Sequence, residues 1–321
     1  GQGTGSGPVR LSDAVTLSPQ TAQRLLHGLR EALQRRAPVA MEPEATADSL
    51  AGPVGLGTMP VNLPVDPAAS AADRLLTQLR SLGVPYAYER SFRLARGSLQ
   101  ANRFLASLNL VDLGEGGFER AMAVAQAMAM PAEAQQAARE AALASTEVAH
   151  CLHFGFEAGD GGMMCKLYLE RQVSPAEIAA ARAAGAAVLL HLAFKWNIDT
   201  GAHVVTRYDW YPGLGAEGIA ARLRSLYGKT THAESLQISL EALQTAAERV
   251  DAETLQYLEV REPDNGRMSF DLNLYDAGLQ VRDLLPLLLR MRDLHGVRPG
   301  QFQALIDQIR NRALGHLAGG V

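Results

Sequence analysis

From residue 84 onward the chain alternates between two hydrophobic periods. Short stretches switch apolar and polar residues at every step, and the segments between them repeat at helical spacing. Six of the short stretches form three clear pairs about loops rich in Gly, Asp and Asn, residues that let a chain reverse. The pairs are His150–Glu157 with Met163–Glu170, Val188–Asn197 with His203–Tyr211, and Thr254–Glu262 with Arg267–Tyr275. A fourth pair is less regular: Val84–Leu94 reads as a strand, while residues 101–111 (ANRFLASLNLV) suit either its partner or a helix. The closing LGHLAGGV (314–321) reads as the start of a fifth, incomplete hairpin, which is expected either of a longer native chain or of one whose end is disordered.

Helical periodicity fills the intervals: Ala72–Leu82, residues 117–129 and 131–145, then 174–185, the pair 215–227 and 232–249, and the pair 279–295 and 299–313. The segment SPAEIAAARAAG (174–185) opens with Ser174, Pro175 and Glu177, a capping box with proline at the first helical position. The order is helix–strand–strand–helix, repeated in pattern but not in sequence. Upstream, residues 1–8 read as a cloning remnant. Residues 9–71 hold a helix over 19–36 and an irregular covering segment rich in Pro, Gly and Ala. Residues 72–321 form the repeat domain.

Strand side chains alternate faces, so each strand sorts its residues. Lys166, Tyr168 and Glu170 oppose Cys165, Leu167 and Leu169, and His191, Lys195 and Asn197 oppose Leu190, Leu192, Phe194 and Trp196. By polarity, Arg207, Asp209 and Tyr211 share the polar side against Thr206, Tyr208 and Trp210. Tyr257, Glu259 and Arg261 do so against Leu258 and Val260, and Ser269, Asp271, Asn273 and Tyr275 against Phe270, Leu272 and Leu274. One reading is an open α+β sheet with its polar face in solvent. The other is a closed antiparallel barrel with helices outside and a polar, tyrosine-bearing lumen. Closure is favoured by the row of tyrosines and by the regular spacing of helices, which leaves no exposed edge.

Composition narrows the function classes. The 321 residues, 47% hydrophobic and 20% charged, suffice for a large core, and the net charge of −4 gives no basic field for nucleic acid. No apolar run has membrane-spanning length, and no signal peptide is visible. Two cysteines, Cys151 and Cys165, fit small buried residues in a reducing cytoplasm. There is no Asp-Asp-x-x-Asp cluster, and His150 and His153 fall on opposite faces of one strand, so no metal site is expected.

The strands CKLYLE (165–170), TRYDWY (206–211) and FDLNLYD (270–276), in this order of hairpins and helices, resemble the ABBA aromatic prenyltransferases. In these, helix–strand–strand–helix units close into an antiparallel barrel. The early YAYERSF (86–92) resembles the substrate-binding segment of the indole branch. The resemblance implies α+β architecture with its fifth hairpin incomplete, an allylic diphosphate of the dimethylallyl type, and an indole- or tryptophan-like acceptor, small molecule or peptide. It implies no cofactor, with Mg²⁺ an option that lacks an acidic motif here. Diphosphate would be held by Lys166, Lys195, Arg207 and Arg261. Tyr168, Tyr211, Tyr257 and Tyr275 would shield the allyl cation, at about 1–2 kcal/mol per ring. Glu89 would accept the indole N–H and serve as the catalytic carboxylate. Each has a structural reading beside it: a cross-strand ion pair for Lys166 or Arg207, and amphipathic filling for the tyrosines. Aromatics are only 6% of the chain, and Glu170, Glu259 and Asp271 repel diphosphate. These features favour a second reading, a barrel of this type that binds a polar small molecule or a peptide without prenyl transfer.

Overall fold

The computed structural model describes residues 67–144, 149–159, 161–228, 232–263 and 266–320. The helix expected over 19–36, and all but the last few residues of the covering segment, lie outside the described residues. The helix expected from Ala72 begins earlier, as α1 (Pro67–Ser81). It is followed by the hairpin β1 (Ala87–Ala95) and β2 (Ser98–Asn109), then α2 (Gly117–Ala127) and α3 (Ala132–Ala144). The segment 101–111, open between strand and helix in sequence, is a strand as far as Asn109, because Phe104, Ala106 and Leu108 bury one face at a spacing of two, and a one-turn helix, Leu110–Leu113, follows.

Next come β3 (Ala149–Gly159) and β4 (Gly162–Arg171), α4 (Pro175–Ala184), β5 (Val188–Asn197) and β6 (His203–Trp210). Helices α5 (Gly215–Tyr227) and α6 (Ala233–Ala247) precede β7 (Gln256–Glu262) and β8 (Arg267–Asn273). The expected capping box on α4 forms: the Glu177 N–H donates to Ser174 Oγ at 3.2 Å and the Ser174 N–H to Glu177 Oε2 at 3.0 Å. The helix expected over 279–295 is shorter. A 3-10 turn, Val281–Leu284, leads into α7 (Leu285–Leu294), whose start carries Pro286, a residue suited to a first turn and not to a helix interior. Helix α8 (Pro299–Ile309) and β9 (His316–Gly320) follow.

The nine strands form one sheet in sequence order, each antiparallel to its neighbours. Two apolar cores cover its outer face. In the first, α1 to α3 pack Leu75, Leu79, Met122 and Met128 onto Phe154, Phe156, Phe194 and Trp196, and the Trp196 indole N–H donates to the Met128 carbonyl at 2.8 Å. In the second, α5 to α7 pack Ile219, Leu223, Leu243 and Leu287 onto Tyr257, Phe270 and Leu272. Burial of each such side chain stabilises the fold by about 1.5–3 kcal/mol.

A third core curls the sheet back on itself. Leu94, Phe92 and Leu99 of the first hairpin pack with Val281, Leu288, Phe302 and Ile306 from the last helices, and the Gly97 N–H donates to the His295 carbonyl at 2.7 Å. The first hairpin is thus joined to the end of the domain through α7 and α8. The result is an α+β antiparallel barrel with helices outside, in which the tenth strand of a full ring is absent from the described residues. No helix among them is long and apolar enough to cross a membrane.

Candidate functional site

Since Cys165, Leu167 and Leu169 point into the helix-facing core, Lys166, Tyr168 and Glu170 point into the concave side. Pairing extends the row: Glu89 faces Leu105, Leu105 faces Gly155, Gly155 faces Lys166, and Lys166 faces Lys195. Glu89, Lys166, Tyr168 and Lys195 therefore share the lumen, as expected. Gly155 matters within the row, because a Cβ there would meet the Lys166 stem at 3.3 Å. Without it, the stem can lie across β3 towards Glu157.

Each lysine has company. Lys166 Nζ lies 2.8 Å and Arg103 Nη2 3.0 Å from Glu157 Oε2. Lys195 Nζ lies 2.9 Å and Arg267 Nη1 3.6 Å from Glu262 Oε1. In each cluster a lysine and an arginine share one carboxylate. Burial would raise the Glu157 carboxyl, yet Lys166 and Arg103 overcome it and hold it at about 2. Burial pulls Lys166 down to about 8, against the attraction of Glu157.

Deeper in the lumen, His153 lies between two partners: Nδ1 is 2.7 Å from Ser107 Oγ, and Nε2 is 2.7 Å from Glu170 Oε2. Burial opposes its charge, but Cys151 and Glu170 hold its pKa above the ordinary histidine value, and Glu170 is correspondingly held low. Burial has the upper hand at His191, pushed down to about 4. The rings of Tyr168, His191 and Tyr208 stand edge-on to one another, with the two tyrosine centroids 5.5 Å apart. Across the lumen, His316 Nδ1 is 2.7 Å from Asp271 Oδ1; burial disfavours its charge, and Asp271 outweighs burial to raise it to about 9. Tyr275 follows β8 in a 3-10 turn and stands edge-on to His316 with centroids 5.4 Å apart, so it borders the lumen. The chain passes at Gly315, where a Cβ would come within 2.0 Å of the Tyr275 ring.

Four expected lumen residues face the other way. In β6 and β7, Arg207, Arg261, Tyr211 and Tyr257 lie on the helix-facing side. Tyr211 and Tyr257 belong to the core shared with α5 and α6, and Arg207 and Arg261 are 46% and 44% exposed. Arg261 Nη2 donates to Glu259 Oε2 at 2.7 Å, Arg222 of α5 donates to Glu259 Oε1 at 2.7 Å and lies over the Tyr211 ring, and Arg207 pairs with Asp209 at 3.2 Å. Polarity is the wrong guide here, because Asp209 and Glu259 pair with these arginines outside the barrel. The lumenal wall of β6 and β7 is instead Val204, Thr206, Tyr208, Trp210, Leu258 and Val260, as pairing of Lys195 with Val204 and of Leu258 with Asp271 requires. Lumen residues missed in sequence include Ser107, His153, Tyr208 and His316. Ser107 was hidden by the strand–helix ambiguity of its segment, and Tyr208 by the inverted phase of β6.

A curled antiparallel sheet in this order, wrapped by helices and lined by charge and tyrosine, defines an ABBA-type barrel. A solved structure of this kind, PriB in a binary complex with product diphosphate, superposes with a TM-score of 0.52 at 14% identity, covering 79% of this chain and 86% of that one. At that identity the likeness is one of fold alone, and it does not point to the indole branch. No protein-family model and no curated protein sequence matches the chain.

Proposed function

We propose that the chain is an aromatic prenyltransferase that moves a dimethylallyl-type group from its diphosphate to an indole- or tryptophan-like acceptor in the lumen. The observation that carries this reading is the two-sided lumen. One wall holds the opposed Lys166 and Lys195, each sharing a carboxylate with an arginine. The adjoining wall is Val204, Tyr208, Trp210, Leu258 and Val260. An allylic diphosphate has the same division, a polyanionic head on an apolar tail. In the reaction the allylic C–O bond breaks and pyrophosphate leaves towards the lysines. Tyr168 and Tyr208 face the cation, at about 1–2 kcal/mol per ring, while Tyr275 borders the same space. The electron-rich ring attacks the cation, and Glu89 takes the ring proton. Thr206 Oγ1 and Trp210 Nε1 are buried on this wall without hydrogen-bond partners, and they supply contacts for a polar acceptor group.

The carboxylates within the lysine clusters favour a second reading, a binding barrel for a polar small molecule or peptide, since Glu157 and Glu262 already occupy the cations. Thermal shift with dimethylallyl and geranyl thiolodiphosphate separates the two. Saturable stabilisation that Lys166→Ala abolishes is the expected outcome, and Arg103 still pairs Glu157 in that variant. No shift at millimolar ligand removes the transferase reading.

A further inference from the structure

We propose that Cys151, His153 and Glu170, with His191 as fourth ligand, form a binding site for a zinc-type divalent transition-metal ion in the lumen between β3, β4 and β5. The inference does not rest on prenyl transfer. Three adjacent strands bring the groups together: Cys151 is the cross-strand partner of Glu170, Glu170 that of His191, and His153 lies two residues along β3. The ligand atoms of Cys151, His153 and Glu170 all lie within 4.8 Å of one another. Zinc bonds to sulfur, nitrogen and oxygen place tetrahedral ligands roughly 3–4 Å apart, a spacing close to that of the three groups here.

A second, independent observation is His191 Nδ1. It is buried without a hydrogen-bond partner and lies 4.0 Å from Glu170 Oε2. A buried imidazole nitrogen left unpaired is costly, and a metal at this point would satisfy it. The surroundings also fit. Histidine ligands ordinarily donate their other ring N–H to a fixed acceptor, and Ser107 Oγ stands 2.7 Å from His153 Nδ1. The Cys151 thiol now donates to the Leu108 carbonyl at 3.0 Å. On binding, the ion displaces the thiol proton and the proton shared between His153 and Glu170, and both protons leave to solvent. One thiolate, two imidazoles and one carboxylate are a donor set for zinc rather than for magnesium or calcium.

Cobalt(II) reports directly on such a site. Metal-stripped protein titrated with Co²⁺ is expected to saturate at one equivalent, with tetrahedral d–d bands and a thiolate-to-cobalt charge-transfer band that Zn²⁺ abolishes. Cys165→Ser leaves the band unchanged, because Cys165 points into the helix-facing core. Cys151→Ser removes it, and Ser107→Ala weakens binding by about tenfold. Should Cys151→Ser not fold, protection of Cys151 by Zn²⁺ against maleimide, mapped by mass spectrometry on the otherwise unmodified chain, reads the same contact. A missing charge-transfer band at excess Co²⁺, an equal band in Cys151→Ser, or unprotected labelling overturns the proposal. Ser107, His153 and Glu170 are then a hydrogen-bonded brace and nothing more.

Discussion

At the scale of single residues, the lumen is a set of charges held in unusual states by burial and by close partners. His316 is the clearest case: burial would keep its imidazole neutral, and Asp271, with a smaller contribution from Glu89, outweighs it. Asp271→Asn removes the largest attraction holding the charge, so the His316 pKa should fall from about 9, as followed by NMR titration. The stability sign follows from a raised pKa. The pair's contribution is complete below about pH 6.5, declines as pH rises, and is gone above about pH 9. A chemical-denaturation series over that range should show the wild type losing stability with rising pH and Asp271→Asn losing less. Sequence alone showed which residue types line the cavity on β4 and β5, where Lys166 and Tyr168 alternate with Cys165 and Leu167. It did not show partners such as Ser107 with His153, which lie 46 residues apart and meet only through sheet pairing.

At the scale of elements, local rules were the reliable ones. The capping box on α4, the turn chemistry of the hairpins and the two-residue period of β3 to β5 are all consequences of neighbours in sequence, and all appear where the sequence places them. Ser174→Ala should cost about 1 kcal/mol in urea denaturation, because it strands the Glu177 N–H at the first turn of α4. The phase of β6 and β7 was not legible, for a physical reason. Alternation says only that Arg207 and Tyr208 face opposite sides; which side is inside depends on what covers the other. There, Arg222 of α5 supplies the counter-charge for Glu259, a contact made across 37 residues, so a charged face became a buried-edge network and not a wet lumen.

At the scale of the whole molecule, closure is the work of side chains more than of strand pairing. The last helices clamp the first hairpin through the core around Phe302, which is fully buried. Phe302→Ala should cost about 3–5 kcal/mol. In hydrogen exchange the Gly97 amide, bonded to the His295 carbonyl, should lose protection well before amides of β3 and β4 do. Equal loss across all strands would mean that the ring is held another way. This clamp could not be read from composition, since it joins residues some 200 positions apart in the chain.

The outward charges on β6 have a consequence for how such a barrel changes its contents. Because the two faces of a strand exchange with a slip of one residue, a single-codon deletion in the loop 198–202 that carried through β6 would turn Arg207 and Asp209 inward and send Tyr208 and Trp210 out. An insertion or deletion in that loop would rewrite the whole strip of lining at one stroke, where point substitutions would have to proceed one side chain at a time.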